Sequence, residues 1–484
     1  MKKALLFSFL LLSSLVLLGQ KKSITQPLII KGQLTNCPEK ILKIFFEDKN
    51  GSHLIDTVHL DQDGNFYLKT YKIKFPQRTS IQQNNIQINN IFVAPGYNLT
   101  ITGDAKDFLS LFKTTKIQGI GAESNQYRAI LNAAQVHEMN TKKWYEMDEK
   151  ELLVYARKTR KTTDSIAHLV FDKKPVHDKY LGYFKKMTLY DNEFINLYLL
   201  LAHVDMNKYS YQEATAIVRD NFDNKVLKNI FNEKYFISED YKTWVIGSEY
   251  LTYIVKLDYL QDSTLKKINN YKLEKASKTY TGKAKDYILY KLITSPVVLT
   301  RSIESLNSYK EQFKPYISML SNPFYKTSVG EKIAAKETEL LKIGTGKPAP
   351  AFTLKSSLAK TYSLADFKGK VVYLDLWASW CGPCRAETPH LKTLYNKYKD
   401  DNRIAFISVA VRDGVNEWKK ALEQDKPDWT QFLDTEGTVD KAYVANSIPQ
   451  FIIIDKQGNI VNLDAPAPSS GKAVESLLLK EMEK

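Results

Sequence analysis

The 484-residue sequence predicts an α/β C-terminal domain with a mixed sheet and helices on both faces, preceded by an all-β sandwich-like domain and an α-helical segment. Three observations carry that reading. Short β-branched and aromatic runs broken by turn residues fill about residues 24–116. Apolar residues at helical spacing dominate from about 122 to 341. From about 343 onward, continuous apolar runs of strand length alternate with helical patterns. The expected division is 1–20 signal peptide, 21–118 β-rich domain, 119–342 helical domain and 343–484 α/β domain.

Met1-Lys2-Lys3 followed by the uncharged run Ala4 to Leu18 has the shape of a secretory signal. The run is short for a membrane span of about 20 residues. Gly19 supplies a small residue before cleavage near Gln20, although Leu17 fits that signal poorly. The alternative is an uncleaved anchor. No cysteine follows the run, so lipid attachment is not expected. Export to an oxidising compartment usually brings structural disulfides, yet the chain has three cysteines. Cys37 lies far from the other two and is read as a buried or passive thiol, with an intermolecular or regulatory role as the alternative.

Leu28 to Ile30, Ile41 to Phe46, Leu54 to Leu60, Phe66 to Leu68, Ile91 to Val93 and Leu99 to Thr102 are the expected strands. Asp63-Gly64 signals a hairpin and Pro95-Gly96 a turn. Asp61, Asp63 and Asn65 resemble the start of a calcium loop, but the glycine offset and distal acid are wrong. In the helical segment Phe194, Leu197, Tyr198 and Leu201 form one stripe, with Asp191 as the expected cap. Trp244, Leu251 and Val255 extend a similar stripe. His137, His168, His177 and His203 form no metal-ligand pair at helical spacing.

The formal net charge is +15, but residues from Gly346 onward hold 19 Lys and Arg against 18 Asp and Glu. The basic excess therefore belongs to the front of the chain. It is interspersed with acids and accompanies no nucleic-acid motif, so a solvated basic surface is expected rather than nucleic-acid binding.

Residues 343–350, I-G-T-G-K-P-A-P, read as a linker. Leu364 to Phe367 and Gly369-Lys370 lead into the apolar run Val371 to Leu376. A helix from Cys384 to Lys399 and a second apolar strand, Ile404 to Val411, complete a strand–helix–strand unit. That order implies a right-handed parallel crossover. A helix around Gly414 to Gln424 and a helical turn after Gly437 follow. Phe451 to Asp455 and Ile460 to Leu463 form a hairpin, and Ser470 caps a closing helix with Val474, Leu477 and Leu478 inward.

The chemistry concentrates in L-D-L-W-A-S-W-C-G-P-C-R-A, Leu374 to Ala386. Cys381 and Cys384 sit at a strand-to-helix junction, three residues apart in a first helical turn, so their sulfurs can meet. Unsatisfied N–H groups and the positive end of the helix dipole favour an anion at Cys381. Its thiol is expected to ionise below the roughly 8.5 of an isolated cysteine. Pro383 suits an early helical position; Cys381, at the exposed helix end, is the expected nucleophile, and Cys384, one turn deeper, is the resolving thiol. Zinc would need two further ligands, but Cys37 is remote and the seven histidines are scattered. No metal or cofactor is expected. A structural bridge over so short a loop would add little stability. The pair reads as a redox dithiol.

W-A-S-W-C-G-P-C, Trp377 to Cys384, resembles the active-site motif of the thioredoxin fold. The chain is more narrowly similar to the TlpA/ResA-like thiol–disulfide oxidoreductases of the bacterial envelope. The resemblance covers about Gly346 to Lys484. It rests also on G-K-P-A-P-A-F-T-L (Gly346 to Leu354), S-L-A-D-F-K-G-K-V-V (Ser363 to Val372) and I-P-Q-F-I-I-I-D (Ile448 to Asp455). The β-rich front looks like the sandwich domain of unknown function that often precedes such domains.

The resemblance implies that Ile448-Pro449 is a cis-proline loop facing the dithiol, where the Ile448 backbone pairs with an extended substrate. Trp380, Gly382, Pro383, Ile448 and Pro449 then form the substrate-binding surface, with Trp377 packed beside it. Asp375 stands where thioredoxins place a buried acid, and Glu387 matches a glutamate beside the ResA-like active-site helix. Asp375 is expected to accept the Cys384 proton and Glu387 to modulate it. Pro389 resembles the proline that bends the active-site helix.

The C-G-P-C motif is of the thioredoxin type, with a poise near −270 mV. The implied function is a periplasmic reductase of protein disulfides, apocytochrome c among them, recharged by a membrane thiol-reductase donor. Three alternatives stay open: a disulfide isomerase, a peroxiredoxin-like peroxidase, and a ligand-binding envelope protein with an accessory redox domain. Ala378 stands where a peroxidatic motif needs threonine.

Overall fold

Residues that alternate between apolar and polar bury one face of a strand, and the front of the chain is built on that rule. In the computed structural model, residues 26–38, 40–48, 53–83, 86–136, 143–172 and 178–484 are described. The expected signal peptide lies outside them, as do His137 and His177. One four-stranded sheet has the order β4-β1-β7-β8, from β1 (Leu28–Thr35), β4 (Asn65–Thr70), β7 (Asn98–Asp104) and β8 (Lys116–Ile120). The other has the order β3-β2-β5-β6, from β2 (Ile41–Glu47), β3 (His53–His59), β5 (Gln77–Gln83) and β6 (Ile86–Val93). Leu28 and Ile30 of the first sheet and Leu42, Ile44 and Phe46 of the second share one buried core.

The Asp63-Gly64 signal needs correction. It marks a turn, but β3 and β4 belong to different sheets, so the turn carries the chain across the sandwich and closes no hairpin. Gly64 is required there: its φ is +81°, and a Cβ would lie 2.2 Å from the Leu34 carbonyl oxygen. Asp61 Oδ1 accepts from the N–H groups of Asp63 (3.0 Å) and Asn65 (2.8 Å), so its carboxylate serves the turn. Strand β5 was not expected, because Q-R-T-S-I-Q-Q carries no apolar alternation. Its inward Gln77 bonds the Glu47 backbone in both directions, at 2.6 and 2.9 Å, so polar side chains line this strand's buried face.

The helices α1 (Phe108–Thr114), α2 (Ala122–Val136), α3 (Glu149–Phe171) and α4 (Leu181–Met206) follow or interleave with the last strands. Next come α5 (Tyr211–Asn221), α6 (Asn224–Lys228), α7 (Tyr250–Gln261), α8 (Tyr271–Thr279), α9 (Gly282–Leu299), α10 (Ile303–Ser318) and α11 (Pro323–Lys342). Sequence capping signals operate at several of them. Asp148 and Glu151 form a capping box on α3, as do Ser210 and Glu213 on α5.

Asp191 is no cap. It lies inside the 26-residue α4, buried, where its carboxylate pairs with Arg78 of β5 and accepts from Ser238 Oγ at 2.5 Å. This pair ties the helical segment to the sandwich. Trp244 leaves the expected apolar stripe and is 53 % exposed. Tyr241–Glu249 forms a π-helix, whose wider turn breaks the 3.6-residue period.

The C-terminal domain adds the short hairpin β9 (Thr353–Lys355) and β10 (Thr361–Ser363) before β11 (Val371–Trp377). Then come α12 (Gly382–Tyr398), β12 (Ile404–Val411), α13 (Val415–Asp425), β13 (Thr430–Asp434), α14 (Thr438–Ala442), β14 (Gln450–Ile454), β15 (Ile460–Asn462) and α15 (Lys472–Glu483). The sheet order is β13-β12-β11-β14-β15. β11 runs parallel to β12 and antiparallel to β14, so the sheet is mixed. Ser470 does not cap α15. Its hydroxyl donates to the Ala467 carbonyl in a preceding turn, and Gly471 takes the cap position. Val474 and Leu478 are fully buried in α15, with Leu477 at the edge of the same cluster.

One apolar cluster runs from Phe194, Ile288 and Leu340 of the helical segment to Val372, Leu374 and Leu376 of β11. The central strand therefore rests partly on the helices that precede it.

The Arg78–Asp191 pair yields a stability prediction. Arg78→Ala leaves a buried carboxylate without its cation and should cost about 3–5 kcal/mol. Thermal unfolding of the intact chain measures this as a lowered midpoint; a shift within error would mean the pair contributes nothing.

Candidate active site

Every residue of β11 is buried, as expected of a central strand covered on both faces. Successive side chains alternate between faces. Val372, Leu374 and Leu376 point into the cluster shared with the helical segment, while Val371 and Tyr373 meet Leu391 and Leu394 of α12. Asp375 shares the second face, between Tyr373 and Trp377. Four residues beyond the strand, Cys381 occupies the N-cap of α12, and its sulfur accepts from the Cys384 N–H at 3.2 Å. A cysteine thus fills the place that serine or aspartate commonly takes.

Cys381 and Cys384 form a disulfide, with Cα atoms 5.2 Å apart. The expectation of an exposed Cys381 needs correction, since each cysteine is only 5 % exposed. Trp377, Ala378, Ala410 and Trp418 close around the pair. The helix cap, and not accessibility, distinguishes the two sulfurs here. Gly382 and Pro383, between them, are exposed. A Cβ at Gly382 would meet nothing within 4 Å, so open space lies beside the bridge.

Trp380 is 55 % exposed, and its Nε1 donates to the Arg412 carbonyl at 3.0 Å. The Ile448-Pro449 peptide is cis. Ile448 packs against the cluster that contains both cysteines, so the loop and the dithiol are brought together. Pro389 lies within α12.

Asp375 is buried and accepts from Ser408 Oγ at 2.8 Å. Ser408 stands directly beside it in the parallel register of β12 and accepts from Trp429 Nε1 at 2.8 Å. Burial pushes the Asp375 carboxyl up from 3.8 to about 7; the Ser408 bond opposes the rise and the Glu387 charge adds to it. Glu387 is engaged elsewhere, accepting from the Ser469 N–H (2.9 Å) and Oγ (2.7 Å). Its influence on Asp375 is through charge.

Sequence reasoning missed Ser408, Trp429, Arg412 and Arg301. Ser408 had a signal, being the lone polar residue in I-A-F-I-S-V-A-V. The other three had none. Cys37, half-buried in the sandwich, donates from Sγ to Gln83 Oε1 at 3.1 Å, far in sequence from the dithiol. Among the described residues no group of three or more His, Cys, Asp or Glu is placed to hold a metal ion.

A mixed five-stranded sheet with a two-cysteine bridge at a strand-to-helix junction, and a cis Ile448-Pro449 peptide whose isoleucine packs on the same cluster, defines a thioredoxin-like dithiol domain. Residues 344–478 match the Redoxin family. The thiol-disulfide oxidoreductase ResA of Bacillus thuringiensis is 32 % identical over 120 residues, which are 25 % of this chain and 69 % of that protein. ResA of Bacillus subtilis is 29 % identical over 121 residues, 25 % of this chain and 67 % of its own. The crystal structure of the thioredoxin domain of a Bacteroides vulgatus thiol-disulfide oxidoreductase is 34 % identical, covering 28 % of this chain and 97 % of its own, with a TM-score of 0.26. The chain belongs to the TlpA/ResA-like family and is a thiol–disulfide oxidoreductase.

The raised Asp375 carboxyl makes stability depend on pH. Between about pH 4 and 7 the folded chain keeps a proton that the unfolded chain has released, so stability falls as pH rises through this window. Asp375→Asn should flatten that slope and stabilise the chain at pH 8, by an amount on the order of 4 kcal/mol. Thermal midpoints at pH 4 and pH 8 test this; equal slopes in parent and variant would refute it.

Proposed function

We propose that the protein is an exported, periplasmic reductase of protein disulfides, working through Cys381 and Cys384. The observation that carries this reading is the Cys381 sulfur at the cap of α12, one turn from Cys384, with Ile448 of the cis Ile448-Pro449 peptide packed on the same cluster. The proposal includes the division into a signal peptide over 1–20, a β-rich domain over 21–118, a helical domain over 119–342 and a redox domain over 343–484. Among the described residues no helix is long and apolar enough to cross a membrane.

In the reduced protein the Cys381 thiolate attacks one sulfur of the partner disulfide. That disulfide breaks, its second sulfur leaves as a thiolate and takes a proton, and a mixed disulfide forms. Cys384 then gives its proton to Asp375 and attacks the Cys381 sulfur. The bond between Cys381 and the partner breaks, and the partner leaves with two electrons and two protons. The dithiol becomes the disulfide present in this structure, to be recharged by a membrane thiol donor.

An acceptor near neutrality suits the middle step, because Asp375 is then partly ionised and able to take a proton. Glu387 modulates by adding its charge to the rise that burial sets at Asp375. The binding surface is assigned to Trp380, Gly382, Pro383, Ile448 and Pro449, with the Ile448 backbone as the edge for an extended partner segment. Apocytochrome c, whose haem-attachment cysteines must be reduced, is one proposed substrate.

Cys384→Ser should hold substrates as mixed disulfides on Cys381. Their capture from the envelope, lost in Cys381→Ser/Cys384→Ser, tests the assignment; trapping through Cys384 in the Cys381→Ser variant instead would reverse the roles. Asp375→Asn should slow release of the partner about a hundredfold at pH 7. Glu387→Gln should shift the pH–rate midpoint downward, since removing a negative neighbour eases ionisation of Asp375. Stopped-flow profiles from pH 5 to 9 measure both, and an upward shift for Glu387→Gln would exclude the charge effect.

A further inference from the structure

The loop that leads into cis-Pro449 is held from two sides. Within its own domain, Arg412 Nη2 donates to the Ala445 carbonyl at 2.8 Å. Two further side chains reach it from the helical segment. Asn446 Nδ2 donates to the Val298 carbonyl, near the end of α9, at 3.1 Å. Arg301, between α9 and α10, donates from Nη2 to the Ser447 carbonyl at 2.6 Å and to Ser447 Oγ at 2.9 Å. Its Nη1 donates to Asp464 Oδ1 at 2.7 Å, beyond β15.

Arg301 is built into the fold rather than laid on it. Its side chain is 9 % exposed, while that of Asp464 is 62 % exposed. Its planar fork fixes the direction of the groups it binds. The Ser447 carbonyl and the Ile448 N–H are opposite edges of one planar trans peptide. Anchoring the carbonyl on Arg301 therefore turns the Ile448 N–H away from the helical segment. Among the described residues no hydrogen bond occupies that N–H.

We propose that Arg301 is a positioning residue for protein substrates: by gripping the Ser447 carbonyl it presents the Ile448 N–H to a backbone carbonyl of an extended partner segment. The helical segment is then one wall of the substrate site. This rests on the Ile448 binding edge proposed above. A substrate with a peptide backbone uses the edge; a small disulfide without one does not.

The test compares kcat/KM of the full chain for insulin and for 2-hydroxyethyl disulfide. Arg301→Ala should lose about tenfold more toward insulin than toward the small disulfide, the worth of one well-made hydrogen bond. The differential loss should fall in KM, and Arg301→Lys, which keeps a donor, should recover part of it. Asn446→Ala, at an exposed position, should shift the ratio in the same direction by less. Equal losses toward both substrates, or none, would overturn the inference. If Arg301→Ala does not fold, Arg301→Lys and Asn446→Ala decide, and a ratio equal to the parent's overturns it. A parent chain that reduces neither substrate would instead sink the reductase reading itself.

Discussion

The first turn of α12 begins on a sulfur atom. At the start of a helix, backbone N–H groups have no carbonyl to bond, and here one of them, from Cys384, points at Cys381 Sγ. The same alignment that closes the cap directs the dipole of α12 toward that sulfur. Everything else in the C-terminal domain serves this junction. β11 delivers it from the centre of the sheet, Trp377 and Ala378 enclose it, and Ile448, before cis-Pro449, packs against the same cluster. A helix tip alone would stabilise an anion anywhere on the surface; enclosure is what restricts which partner sulfur can reach it.

The junction carries a cost in the core. A carboxyl in a fully buried strand is unfavourable unless it is neutral or well bonded. Asp375 has one strong partner, Ser408, itself fixed by Trp429. That single bond leaves burial dominant, and the carboxyl stays high. An additional cation would have restored an ordinary carboxylate and removed any capacity to exchange a proton near neutrality. The sparse bonding around Asp375 fits the role proposed for it.

The front of the chain is joined to this centre by two different devices. The helical segment shares an apolar core with β11 and grips the loop before cis-Pro449 through Arg301. The sandwich is joined to the helices through Arg78 and Asp191. Apolar packing fixes distance, while the directional arginine contacts fix orientation. Orientation is what a backbone-pairing edge requires.

The chain's own order of residues determined the dithiol, its strand and helix and the apolar strands of both sheets. Each of these is local: a spacing of three between Cys381 and Cys384, an unbroken run from Val371 to Leu376, an alternation in Ile41 to Phe46. What escaped was decided by distant residues. β5 was hidden because Gln77 and Thr79 satisfy their buried groups on another strand's backbone. Asp191 looked like a cap until Arg78 supplied a reason to bury it. Cys381 looked exposed until Trp377 and Trp418 packed around it. Ser408 becomes meaningful only once β12 is in register with β11. Arg301 lies 146 residues from Ser447, a pairing no local pattern encodes. Periodicity and helix-end chemistry act over a few residues and are written in the sequence; hydrogen bonds between remote segments exist only after tertiary packing has brought the partners together.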